Sequence, residues 1–296
     1  MAPMTRRITP STMAAATAVF ARPLLATEHS EFDVGAERVA LALAARRGEP
    51  LATVLPMVGN PEYDVVAPEL AARADAVVAD KLQRLQSLAA AQGVRLAVQV
   101  RRGPEPYREI VDEALKTDRD LIIIRRRGRP GLLANLLLGE MVSKVVAHAP
   151  CSVLVNARDA QPWRRRVLVA VDPAAPQMDT VTQGARVAVD AGLPLALVCV
   201  ADTGGDADAQ RALATALAHA RALGATADGE VLAGKPHAQI LDAARRSGAD
   251  LIVLGRHGAT RLARAWLGSV AQKVIGLAEW PVLVCISRLP AGDPSP

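Results

Sequence analysis

Aromatic side chains are scarce: the 296 residues hold two Phe, two Tyr and three Trp. Proteins that grip single strands of nucleic acid stack bases on aromatic rings, so this composition argues against that class. Three cysteines, Cys151, Cys199 and Cys285, are too few for a disulfide framework and show no C-x-x-C spacing for zinc or redox work. Cys199 and Cys285 sit inside apolar runs, where a reduced thiol acts as a small hydrophobe, and a reducing cytoplasmic compartment is expected. No stretch of 18 apolar residues occurs, so no membrane partner is expected. Excess charge is small as well. Lys and Arg number 35 against 30 Asp and Glu, a net +5, which is little for a dedicated nucleic-acid binder. Three motifs are missing: G-x-x-x-x-G-K-[ST], G-x-S-x-G and H-E-x-x-H. Their absence excludes a P-loop, a nucleophile elbow and a zincin helix.

What the chain does have is apolar residues, 51% of the total, enough for sizeable cores. Its length suits two domains. Residues 1–21 carry Arg6 and Arg7, and no acid precedes Glu28. They read as a flexible basic tail rather than a signal peptide, because the run from Met13 to Ala21 is short and lacks Leu.

An internal repeat organises the rest. Asp120-Leu121-Ile122-Ile123-Ile124 is echoed by Asp250-Leu251-Ile252-Val253-Leu254, 130 residues on, with Pro106 over Pro236 and Ile110 over Ile240. Further along the offset is 129: Gly139 over Gly268, Lys144 over Lys273, Val153-Leu154-Val155 over Val282-Leu283-Val284. Near the start it is 144, with Leu24 to Glu28 over Leu168 to Asp172. Copy one therefore carries about 14 extra residues mid-domain, and Gly59 to Arg73 is the candidate insertion. Continuous apolar runs such as Val167–Val171, Leu195–Val200 and Leu251–Leu254 alternate with helical stretches. Strands buried on both faces have that signature. The expected fold is α/β: two tandem doubly wound, Rossmann-like domains, each with a five-stranded parallel sheet. The boundaries read 22–156 for copy one, 157–166 for an exposed linker, 167–288 for copy two and 289–296 for a tail.

After the strand Leu251–Leu254 comes Gly255-Arg256-His257-Gly258, then nine residues, then Gly268-Ser269 opening a helix. Ligands collect beyond the carboxyl ends of parallel strands. Glycines admit close backbone approach, and free amides at a helix N-terminus favour phosphate. Arg261 and Arg264 are optional cations in the intervening loop.

This G-x-x-G, nine residues, G-S pattern, with Asp172 after Val169-Ala170-Val171, resembles the ATP-binding signature of the universal stress protein family. The resemblance covers both copies and implies a tandem-type member. It implies adenine and ribose contacts at Ala170, Val171, Asp172, Val200 and Leu254. Phosphate contacts fall on Gly255, His257, Gly258, Gly268, Ser269 and Val270. Pro173 departs from the family's Gly-Ser after the acid and offers no amide. Each residue also has a plainer explanation: Gly255 as a strand end, Ser269 as a helix N-cap, Asp172 as turn chemistry before Pro173.

Copy one reads Arg125-Arg126-Arg127-Gly128, ten residues, then Gly139-Glu140. Arg125 replaces a glycine, Glu140 places a carboxylate at the helix N-terminus, and the loop is one residue longer. A nucleotide is not expected there. Arg125, Arg126, Arg127 and Arg129 read as surface charge pairing with Glu140 or a partner.

The functional expectation is an ATP-binding regulatory stress-response protein, with copy two loaded and Mg2+ a candidate companion of the ATP. Alternatives are a slow ATPase or nucleotide-dependent transferase, and a nucleotide-free interaction module. No catalytic or metal-binding residue is assigned, and hydrolysis is expected to be weak at most. The final strands, Ser152–Asn156 and Pro281–Cys285, are apolar and suit a sheet edge that needs covering. The resembled family commonly pairs through this strand. The expected partners are thus an adenine nucleotide, the other copy in a pseudo-two-fold pair, and a further homodimer as an option.

Overall fold

The computed structural model describes residues 19–59, 68–126, 139–174, 176–201, 206–256 and 267–286. Copy one runs β1 (Pro23–Ala26), α1 (Val34–Arg47), β2 (Leu51–Val58), α2 (Pro68–Ala90), β3 (Leu96–Gly103), α3 (Pro106–Lys116), β4 (Leu121–Arg125), α4 (Glu140–His148) and β5 (Ser152–Asn156). Copy two repeats it: β6 (Val167–Val171), α5 (Met178–Ala191), β7 (Leu195–Ala201), α6 (Asp206–Ala222), β8 (Ala227–Ala233), α7 (Pro236–Ser247), β9 (Leu251–Gly255), α8 (Ser269–Leu277) and β10 (Val282–Cys285). The α/β class and the tandem repeat are as the sequence implies. The strands form one ten-stranded sheet in the order β3-β2-β1-β4-β5-β10-β9-β6-β7-β8.

Within each copy every pairing is parallel. β5 and β10 meet antiparallel, with Leu154 opposite Leu283, Val153 opposite Val284 and Val155 opposite Val282. Leu154 and Leu283 are equivalent positions of the repeat, so a local two-fold passes between them. Four helices cover each face. One apolar layer includes Leu25, Val39, Leu41, Val169, Ala185 and Leu197, under α1, α2, α5 and α6. The other includes Ile110, Ile122, Val145, Ile252 and Val274, under α3, α4, α7 and α8. Both layers run unbroken from one copy into the other. Strands flanked by helices on both sides must be apolar throughout, which is why β4 and β9 read as LIII and LIVL. The outermost strands, β3 and β8, are largely exposed and read LAVQVRRG and ADGEVLA, a weaker apolar signal.

The extra length of copy one lies between its second and third strands. Paired residues Leu51 and Leu96 are 45 apart, whereas Leu195 and Ala227 are 32 apart. Helix α2 absorbs part of this, with 23 residues against 17 in α6. Residues 60–67 of the candidate insertion lie outside the described residues.

The linker differs from its expected exposure. Ala160 and Trp163 are buried against copy one, and Arg38 Nη1 donates to Ala160 O at 2.9 Å. A Cβ at Gly35 would lie 2.0 Å from Ala157 O, so only glycine lets the linker lie on α1. Asp250 then accepts hydrogen bonds from the backbone amides of Arg164, Arg165 and Arg166. Arg164 and Arg165 stay exposed, as a solvated charge run should. The linker is anchored by its buried Ala160 and Trp163 side chains in the middle and by the Asp250 carboxylate at its end.

The register fixes the informative junction variants. Leu154 and Leu283 are fully buried opposite each other. Leu283→Ala is expected to cost about 2–5 kcal/mol, checked by urea denaturation. Leu154→Lys with Leu283→Lys puts two like charges in direct opposition. It is expected to separate the halves and raise the hydrodynamic radius in sedimentation or scattering measurements.

Candidate functional site

Beyond the carboxyl ends of β6, β7 and β9 lies a cleft of about 320 Å3. Ala170, Val171, Asp172, Val200, Leu254, Gly255, Gly268, Ser269 and Val270, residues to which the family resemblance points, all line it. His257 and Gly258, with Arg261 and Arg264, lie outside the described residues. Seven further residues line it without having been assigned to it from the sequence: Pro173, Ala174, Val198, Pro236, Ile240, Arg256 and Ala271. Strand alternation could have found Val198, two residues before Val200. Pro236 and Ile240 were visible only as repeat landmarks; they enter because α7 starts at the cleft wall.

One end of the cleft is apolar, from Ala170, Val198, Val200, Ile240 and Leu254. The other is the start of α8. Gly268 is the N-cap, and its amide donates to Arg256 O at 2.9 Å. The expected free Gly268 amide is therefore engaged in closing the loop. The open donors are those of Ser269, Val270 and Ala271, which have no intrahelical acceptor. Ser269 is the exposed first helical residue rather than the cap. Asp172 Oδ1 accepts from the Ala174 amide at 2.9 Å, the Asx arrangement. Gly255 answers to packing: a Cβ there would lie 2.3 Å from Gln177 Oε1 on the approach to α5, not in the cleft.

Lys235 and His237 flank the lining residue Pro236, and Lys273 of α8 lies close enough to act on His237. The imidazolium of His237 is disfavoured by burial first, then by Lys273 and Lys235. In copy one the same positions hold Tyr107, Lys144 and Glu105. There Lys144 Nζ lies 2.9 Å from Glu140 Oε1, 3.4 Å from Glu105 Oε1 and 5.0 Å from the Tyr107 ring centre. Copy two replaces both carboxylates, with Lys235 and Ser269. Three positive or protonatable groups thus stand beside the copy-two helix N-terminus, whereas copy one neutralises its lysine.

Copy one keeps a cleft of about 480 Å3 with different chemistry. Pro56 stands where Val200 stands and offers no amide. Arg125 is buried, with Nη2 2.6 Å from Glu28 Oε2 and Nε 3.2 Å from Asp33 Oδ1. This corrects the expected surface pairing. Removing Arg125 from water is compensated by two carboxylates, and Glu28, the counterpart of Asp172, is neutralised. Glu140 is exposed and bonds Lys144, which holds its carboxyl below the usual range; it does not cap α4, whose N-cap is Gly139. Arg126 leaves the surface too, its Nη1 reaching Ile275 O at 2.8 Å and Gly276 O at 2.5 Å in copy two. Arg127 and Arg129 lie outside the described residues.

A buried polar network under this cleft also escaped the sequence reading. Glu37 Oε1 accepts from Thr27 Oγ1 at 2.7 Å and lies 2.9 Å from His29 Nδ1. The equivalent residues in copy two are Val181, Val171 and Pro173. The signal was available as an acid within the apolar stripe of α1.

Among the described residues, no group of three His, Cys, Asp or Glu could hold a metal, and no helix is long and apolar enough to cross a membrane.

Arg125→Ala strands Glu28 and the fully buried Asp33. It is expected to cost about 3–5 kcal/mol, as breaking a buried ion pair does, with part recovered by adding Asp33→Asn; urea midpoints check both.

The model of the universal stress protein family matches residues 21–156 and 164–285. Universal stress protein Slr1230 of Synechocystis sp. is 30% identical over 171 residues; the match covers 58% of this chain and 59% of that relative. The chain thus spans about three fifths of that relative's length. The solved structure of a universal stress protein from Archaeoglobus fulgidus DSM 4304 has a TM-score of 0.67 at 21% identity, covering 91% of this chain and 97% of its own. A universal stress protein from Archaeoglobus fulgidus has also been solved in complex with dAMP, at 26% identity and a TM-score of 0.36. That match covers 41% of this chain and 98% of its own.

Proposed function

Because the chain belongs to the universal stress protein family, we propose that it is a regulatory stress-response protein holding one ATP in the copy-two cleft, with copy one unable to hold a nucleotide. The asymmetry between two clefts of one fold carries this reading. Copy two presents three helix amides, Lys235, His237 and Lys273 at the phosphate end, and an apolar chamber at the other. An anion gains from both the amides and the cations. Copy one meets the same ligand with Glu140 and Glu105, with a neutralised Glu28, and with a proline in place of the Val200 amide.

In this reading adenine and ribose lie against Ala170, Val200, Leu254 and Asp172, and the polyphosphate runs to Ser269, Val270 and the loop containing His257 and Gly258. Mg2+ would accompany the phosphates. The function is binding, and no step of hydrolysis is assigned. A reducing cytoplasm suits Cys199, whose thiol is pushed up to about 11 by burial and by Asp172. The two copies work as a pseudo-two-fold pair within one chain. Pairing of β5 with β10 covers both edges, so a homodimer is not required.

Calorimetric titration with ATP is expected to give one site per chain; two equivalent sites would overturn the assignment. Ser269→Glu installs the copy-one residue at a position where the fold already tolerates it. It is expected to abolish binding, losing at least the roughly 1.5–3 kcal/mol of a charged hydrogen bond.

Bound phosphate should also counter the repulsion that Lys273 and Lys235 exert on a protonated His237. Its proton affinity rises on binding, so ATP binding takes up a proton and strengthens as pH falls below neutrality. Calorimetry in buffers of different ionisation heat reads that proton, and His237→Ala should remove it.

A further inference from the structure

Arg126 and Arg256 occupy equivalent positions, immediately after the strands β4 and β9. Each crosses the junction. Arg256 Nη1 lies 3.0 Å from Ala147 O and 3.4 Å from Val146 O, in the last turn of α4. Arg126 Nη1 reaches Ile275 O and Gly276 O, in the last turn of α8. The four carbonyls are equivalent pairs of the repeat, so the two contacts are reciprocal. Carbonyls in a last turn have no helical donor, and a cation there also favours the helix dipole. Both guanidinium groups are buried enough that burial alone disfavours their charge, and a buried cation holds its geometry because leaving it uncompensated is costly.

The consequence falls on the copy-two cleft. Arg256 lines it, follows Gly255 and opens the loop to Gly268, whose amide it accepts through its own carbonyl. Helix α8 supplies the amides at the other wall. Copy one therefore holds both walls: the end of β9 through the side chain of Arg256, and α8 through Arg126 at its far end.

We propose that Arg256 and Arg126 are positioning residues through which copy one sets the phosphate end of the copy-two cleft. The cleft is incomplete without its degenerate neighbour. This rests on the reading that copy two binds ATP.

The test is ATP affinity of the full chain, measured by calorimetry well below the melting temperature of each variant. Arg256→Ala and Arg126→Ala are each expected to weaken binding about tenfold. Arg256→Lys keeps the charge and loses the fork geometry, and a several-fold loss is expected. Arg38→Ala removes a contact to the linker far from the cleft. It is expected to lower the melting temperature and leave affinity unchanged, which a merely structural role would predict for all the variants. Wild-type affinity in the folded alanine variants overturns the proposal. Should those fail to fold, wild-type affinity in Arg256→Lys overturns it instead. A wild-type chain that takes up no ATP overturns the assignment of the site, and the positioning role with it.

Discussion

The pairing of β5 with β10 is the contact on which the molecule depends. Each copy alone ends its sheet in a short strand with an apolar centre, VLV in both, whose unpaired backbone would invite further strands. Joined antiparallel, the two edges disappear into one ten-stranded sheet, and two hydrophobic layers run through both halves. The outer edges that remain are of another kind. β3 and β8 carry exposed polar side chains, among them Gln99 and Arg102 on one and Asp228 and Glu230 on the other. The most apolar strand edges meet at the centre, and the cross-junction arginines can reach only because the centre is closed.

Around that symmetric centre the two clefts have diverged by charge. Copy one pairs its ionic groups with one another: Arg125 with Glu28 and Asp33, Lys144 with Glu105 and Glu140. Copy two has lysines where copy one has compensated pairs, and open helix amides beside them. The same backbone thus yields one cleft whose ionic groups pair with each other and one flanked by lysines. Repeats within a single chain make this comparison unusually direct, since fold, packing and solvent are held constant.

The fold was legible because burial on both faces leaves a continuous apolar run, and because Pro236 and Gly248 mark the ends of α7 in the sequence itself. β3 and β8 were the faintest strands because exposure dilutes their apolar pattern. The place of the copy-two cleft was legible as a spacing of glycines after a buried strand, while its apolar lining followed only from the family resemblance. The fate of individual donors was not: the Gly268 amide is taken by a carbonyl 12 residues away, a closure that depends on the loop's path. The destinations of Arg125 and Arg126 were also hidden. Their partners lie 97 and 149 residues distant, and a run of three arginines looks the same whether it is solvated or buried. One hint was present, that Arg126 and Arg256 match while Arg125 and Gly255 do not. The buried linker was obscured by its arginines, though Trp163 within it was a signal that something there must be covered.

That anchored linker changes how the assembly responds to concentration. Two separate chains joined edge to edge would come apart on dilution, and any site that needs both halves would fade with them. Here the halves are tethered by about ten residues held down on copy one and clamped by Asp250 on copy two. A short tether holds its ends at an effective concentration on the order of millimolar, whatever the number of molecules in the cell. The junction therefore stays closed in scarcity and in abundance alike. Any site that draws on both halves keeps its geometry whatever the concentration of the chain.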